Sequence, residues 1–260
     1  MDLKTILFNK EGPIATVVLN RPASLNALNS TLIQELDRVV NDISQDRNIR
    51  AVIFTGGEKV FAAGADLTEI INIKTPLEAR SYVSKVQALF NKIENLEQPT
   101  IAAIAGFAFG GGCELALVCD IRIAAGNAQF ALPEIKLGLL PGAGGTQRLP
   151  RLIGAGPAKE HLFSGDPFSA QEGYRIGLVN KLVLTDSLMQ EAEKTAKSLT
   201  QRPGFAISTI KGLVNEGLTM PLQSALAHEM RCFETLFQTL DKQEGVSAFL
   251  EKRQPEFQHR

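Results

Sequence analysis

Residues 101–120 constrain this chain more than any other stretch. An apolar run at 101–105 reaches Gly106 and then three consecutive glycines, Gly110, Gly111 and Gly112. A helix-like pattern follows, in which Leu115, Val118 and Cys119 recur near helical spacing. Glycine has no Cβ, so three of them before a helix leave backbone N–H groups open to approach. The first helical turn adds N–H donors without intrahelical partners and the positive end of the helix dipole. Such a place suits an anion, or an oxygen that becomes negative during a reaction. Glu114 lies in that first turn. A second stretch carries Pro133 and Glu134, then Pro141, Gly142, Ala143, Gly144, Gly145 and Thr146. Two carboxylates beside a glycine-rich anion site make a candidate acid–base pair. Locally, the same residues also fit an ordinary turn with Glu114 as a helix-dipole partner. Nucleotide readings fit worse. There is no P-loop lysine, and residues 106–111 do not match G-x-G-x-x-G. No G-x-S-x-G elbow of a serine hydrolase occurs either.

With 260 residues, 44% of them hydrophobic and 21% charged, the chain can bury a sizeable core. A net charge of −1 does not favour nucleic acid or an anionic membrane as partner. Cys113, Cys119 and Cys232 form neither a disulfide framework nor a zinc spacing, and His161, His228 and His259 are scattered, so no metal site is expected. The first residues lack the basic start and long apolar core of a signal peptide. No run approaches the roughly 18 apolar residues of a membrane span. These features predict a cytoplasmic protein.

Residues 14–19 read as a strand between turn residues. Asn29 or Ser30 can cap a helix whose stripe is Leu32, Ile33, Leu36, Val39, Val40 and Ile43. Residues 51–55 form a second strand, so a βαβ unit with parallel strands is expected. Small residues at 61–67 follow, where another group can approach the backbone closely. Residues 78–96 predict a long amphipathic helix, and 121–125 and 129–132 two strands. Short helices are expected at 158–163 and 169–176, and an edge strand at 179–183. From Ser187 the chain turns helical, with segments at 188–199, 205–215, 221–240 and 244–252. The Phe-rich face from Phe233 to Phe249 is expected to be buried within or between subunits.

Seven motifs in order then match one family. Residues 61–66 (Phe-Ala-Ala-Gly-Ala-Asp), 104–116, 129–134 and 138–149 are similar to segments of the enoyl-CoA hydratase (crotonase) family, as are 20–28, 169–179 and 244–253. The resemblance implies an α/β fold: a crotonase-type spiral of repeated ββα units over residues 1–200, with a C-terminal helical trimerisation region at 201–260. It implies a homo-oligomer, a trimer or a dimer of trimers. It places the oxyanion hole at the backbone N–H groups of Ala65 and Gly111, and the catalytic pair at Glu114 and Glu134. Gly142 matches a position that helps hold the reacting water. Substrate contacts fall at Ala63, Asp66, Leu67, Phe249 and Lys252. Other branches usually alter one or both glutamate positions, so the resemblance implies hydration of a short- to medium-chain 2-enoyl-CoA. A branched, dienoyl or cyclic acyl-CoA is the alternative substrate. No cofactor is implied beyond the coenzyme A that is part of the substrate. Ala23 and Thr68 stand where some relatives carry lysines for the CoA phosphates, leaving Lys252 and Arg21 for that task. One branch binds RNA, but residues 188–199 mix Glu191, Glu193, Lys194 and Lys197 and offer no basic face.

Overall fold

The computed structural model describes residues 3–259. β1 (Ile6–Glu11) and β2 (Ile14–Leu19) pair as an antiparallel hairpin. β1 has no clean period-two signal, because Asn9, Lys10 and Glu11 fill its outer half. Helix α1 (Ser30–Gln45) begins where the Asn29 side chain accepts the Leu32 N–H, and it buries all six residues of the expected stripe. β3 (Ala51–Thr55) returns parallel to β2, which completes the expected βαβ unit.

The chain then winds through three similar turns. β3 is followed by β4 (Val60–Ala62), then by α2 (Leu67–Ile70) and α3 (Pro76–Glu94). β5 (Thr100–Ile104) is followed by β6 (Phe107–Phe109) and α4 (Gly111–Val118). β7 (Ile121–Ala125) is followed by β8 (Gln129–Ala131), a 3₁₀ turn at Pro133–Leu137 and α5 (Gly145–Ile153). Helix α6 (Ala155–Ser164), β9 (Phe168–Ser169), α7 (Ala170–Arg175) and β10 (Lys181–Val183) close the core. The first strand of each turn enters one sheet, ordered β1-β2-β3-β5-β7-β10, with β10 at the edge as expected. The second strand enters another, ordered β4-β6-β8-β9. This is the ββα spiral.

The central strands β3 and β5 are buried along their whole length, as parallel strands covered on both faces must be. On one face Ile53, Ile101, Ala103 and Ile123 pack against Leu188, Ala192 and Ala196 of α8 (Leu188–Thr200). On the other, Val52, Phe54, Ala102 and Ile104 join the core of α1, α3 and α4.

Three helices follow: α9 (Gly204–Gly217), α10 (Leu222–Leu236) and α11 (Leu240–Leu250). The break expected between helices at 221–240 and 244–252 falls earlier, at 237–239. The Thr239 side chain accepts the Lys242 N–H and starts α11, inside a run with no glycine or proline to mark the break. The Phe-rich face, expected to be buried within or between subunits, is not buried within the chain: Phe233, Phe237 and Phe249 are 61%, 54% and 83% exposed. Among the described residues no helix is long and apolar enough to cross a membrane.

Candidate active site

The site starts at Asn26, which nothing in the sequence singled out as more than a motif letter. It is 1% exposed. Its side-chain nitrogen lies 3.1–3.2 Å from the carbonyl oxygens of Gly56, Val60 and Phe61, and its oxygen accepts the Arg21 N–H at 2.8 Å. Losing it would leave buried carbonyls without partners. Asn26 thereby staples the 21–28 loop to β4 and to the turn before it, and backbone bonds tie the same loop to the turn after β4. There the Leu28 N–H donates to Gly64 and the Asp66 N–H donates to Leu28, so the Ala65 N–H takes no part in the bridge.

Gly111 stands opposite, at the first position of α4. The Glu114 N–H donates to the Gly110 carbonyl, so the helical ladder starts after the Gly111 N–H. A methyl carbon placed on Gly111 would lie 3.7 Å from the Ala65 nitrogen, so Gly111 sits close beside the Ala65 amide. Gly110 has a φ of +50°, and any side chain there would meet Glu134 Oε1 at 2.8 Å. The positive φ is what favours glycine here. The collision also places the Glu134 carboxylate directly at this turn.

The two carboxylates sit in different surroundings. Glu114 is buried, and its Oε1 accepts the Gly145 N–H at 2.8 Å. Burial pushes its pKa up to about 7; the Gly145 N–H works against this, the nearby Glu134 charge adds to it, and Ala143 N–H and Arg148 oppose it. Glu134 is half-buried, and burial raises its pKa too. Its Oε2 is buried without a hydrogen-bond partner among the described residues.

Both glutamates line one cavity of about 680 Å³. Ala63, Ala65, Leu67, Gly111 and Gly142 line it with them. Its remaining wall is largely apolar, with Ile70, Ile73, Val83 and Val86 on one side and Leu137, Leu139 and Leu140 on the other. Tyr82 lines it too, and burial pushes its hydroxyl up to about 12.

Asp66 is placed differently. It does not line the cavity; it accepts the Thr68 N–H to cap α2 and pairs with Arg21 at 3.1 Å. Arg21, expected to be free for phosphates, is committed to that pair and to the Ala27 carbonyl. Phe107 and Phe109 pack on each other at 4.9 Å and lie outside the cavity lining. Phe249 and Lys252, at the exposed end of α11, do not line the cavity either. Among the described residues no group of three His, Cys, Asp or Glu side chains could hold a metal ion.

Comparison with known proteins decides the lineage. The family model described as enoyl-CoA hydratase/isomerase matches residues 9–260. The chain belongs to the enoyl-CoA hydratase/isomerase family. It is 45% identical over 257 residues to a short-chain-enoyl-CoA hydratase of Clostridium acetobutylicum, with 98% of each chain covered. It is 43% identical to a crotonyl-CoA hydratase of Syntrophomonas wolfei, with 99% of each covered. The crystal structure of an enoyl-CoA hydratase from Bacillus anthracis superposes with a TM-score of 0.95 at 39% identity, covering 99% of this chain and 100% of that one. The spiral is therefore the crotonase-type fold of this family.

Proposed function

We propose that the chain is an enoyl-CoA hydratase that adds water across the 2,3 double bond of a short- to medium-chain 2-enoyl-CoA. The observation that carries this reading is the pair Glu114 and Glu134 in one cavity, beside Ala65 and Gly111. The thioester oxygen accepts from those two N–H groups. As water attacks C3, negative charge develops on that oxygen and the fixed donors stabilise it. Glu114 takes a proton from the water, and Glu134 delivers one to C2. The asymmetry of their partners supports the division. Backbone N–H groups favour the charged form of Glu114, while Glu134 keeps a buried, unpaired oxygen that suits a protonated acid. Gly142 lies at the cavity edge to help hold the water, and Ala63 and Leu67 contact the substrate. The coenzyme A is part of the substrate. A rate survey across crotonyl-CoA and longer, branched and cyclic enoyl-CoA thioesters tests the reading; no water addition to any of them would defeat it.

A stability prediction follows from Glu114. Its rise from an ordinary 4.5 to about 7 means that the folded protein pays to keep it charged. At about 1.4 kcal/mol per pH unit this is on the order of 3 kcal/mol. The sign is that of a raised carboxylate: the cost is absent below about pH 4.5 and complete above about pH 7. Glu114→Gln should therefore melt higher than wild type at about pH 8, with a gain that shrinks toward about pH 5. A variant less stable at both pH values would return Glu114 to a helix-dipole role.

We further propose that residues 1–200 form the catalytic core and that 201–260 serve assembly into a trimer or a dimer of trimers. The exposed Phe233, Phe237, Phe249 and Leu250 support this, because an apolar face this large is unfavourable in water. In such an assembly Phe249 and Lys252 would supply CoA contacts. Removing the chain after Gly217 should abolish assembly; a soluble truncated protein with unchanged sedimentation would contradict it.

A further inference from the structure

Glu114 is held by a loop, and the loop is held by α3. Residues 141–145 supply the Gly145 hydrogen bond and the weaker Ala143 N–H contact to the carboxylate. Three of these five residues are glycines, so the loop has little stiffness of its own. Its restraint comes from a polar stripe on α3: Gln87, Asn91 and Glu94 recur at i, i+4 and i+7 on one helix face. Gln87 Nε2 donates to the Gly142 carbonyl at 2.7 Å. That carbonyl belongs to the peptide whose N–H, on Ala143, faces Glu114.

Arg148 supplies the second grip. Its Nε and Nη2 donate to the two oxygens of Glu94 at 3.0 and 2.6 Å, and Nη2 donates to Asn91 Oδ1 at 2.7 Å. Its Nη1 donates to the Ala143 carbonyl at 3.1 Å. The guanidinium lies directly over Gly144, where a methyl group would meet Nη1 at 2.1 Å. Gly144 also has a φ of +116°, so the loop can take this shape only with glycine there. The Arg148 side chain is only 15% exposed and all three of its nitrogens donate, so it is a fixed strut rather than a solvated surface pair. It does not line the cavity.

We propose that Arg148, braced by Glu94 and Asn91, is a positioning residue for hydration: it fixes the 141–145 loop and so holds the Glu114 carboxylate in place against the attacking water. This rests on the hydratase reading above. The charged and titratable groups around Glu114 are Glu134 from the turn after β8, Arg148 from α5, Tyr82 from α3 and Cys113 on its own helix. Arg148 is the cation among them that opposes protonation of Glu114.

The test is kcat, KM and the pH profile of hydration for Arg148→Met, Arg148→Lys and Glu94→Gln, with Glu114→Gln alongside. Arg148→Met should lower kcat by up to about 100-fold with little change in KM, as a misplaced catalytic group does. Its acidic limb should move to higher pH, because the opposing cation is gone. Arg148→Lys should restore the limb but only part of kcat, since it keeps the charge and loses the fork. Glu94→Gln loosens the same strut with a smaller loss of the same kind, and it serves if Arg148→Met does not fold. A folded Arg148→Met or Glu94→Gln with wild-type kcat and an unmoved acidic limb, changed only in melting temperature, would overturn the proposal. Loss of activity in Glu114→Gln beside a normal Arg148→Met defeats the positioning role alone. Full activity in Glu114→Gln defeats the hydratase reading itself, and the positioning role with it.

Discussion

Glu114→Gln and Glu134→Gln should each lower the hydration rate by about 100- to 10,000-fold, the range typical of a lost general acid–base group. The amide keeps nearly the volume of the carboxylate, so the cavity and the fold should persist. For Glu114 the effects on activity and stability have opposite signs: the variant loses rate while gaining stability above about pH 7. A structural residue would lose stability and keep its rate. Because both groups serve one water addition, the double variant should lose much less than the product of the single losses. Glu134→Gln should also slow exchange of the C2 proton of a saturated acyl-CoA in deuterium oxide. The checks are hydration rate, C2 exchange and melting temperature for the four proteins. Near-normal hydration in either folded single variant would remove that residue from the mechanism.

Gly111→Pro should reduce turnover by about 100- to 1,000-fold, the usual effect of removing one oxyanion-hole donor. The fold has reason to accept it. Gly111 is the first residue of α4, a position where proline is favoured because its missing N–H makes no helical bond. The added Cβ would approach Leu28 Cδ1 to 3.0 Å, a contact that the end of a leucine side chain can relieve. Gly111→Ala makes the same contact and keeps the N–H, so it separates crowding from the lost donor. Alanine should be far more active than proline, while both should bind the CoA product. Equal turnover in the two, with circular dichroism unchanged, would move the oxyanion hole elsewhere.

Much of this architecture was legible in the sequence. The α1 stripe, the strands at 14–19, 51–55 and 121–125, and the glycine triplet before Glu114 carry strong periodic or turn signals. The glutamate pair was legible as acid–base chemistry, but its roles came only with the family resemblance. Other features left little trace. β4, β6 and β9 are two or three residues long, too short to show a period of two, and their pairing with distant strands is what makes them strands. Helix α5 starts at Gly145 and contains Pro150, both of which read as helix breakers. Asn26 acts on backbone carbonyls, and Arg148 on the Glu94 and Asn91 side chains, all far away in the chain, and no local pattern announces such bonds. The resemblance places Asp66 among the substrate contacts, whereas its carboxylate is used by Arg21 and the start of α2.

The central claim is that Glu114 and Glu134 add water to an enoyl thioester held by Ala65 and Gly111. Incubating the purified protein with crotonyl-CoA in oxygen-labelled water tests it most directly. The account predicts loss of the enoyl absorbance and a 3-hydroxyacyl-CoA carrying the label at C3, with formation abolished or strongly reduced in Glu114→Gln and Glu134→Gln. Formation of an unlabelled isomer of the substrate, or labelled product at wild-type rate from either variant, would contradict it.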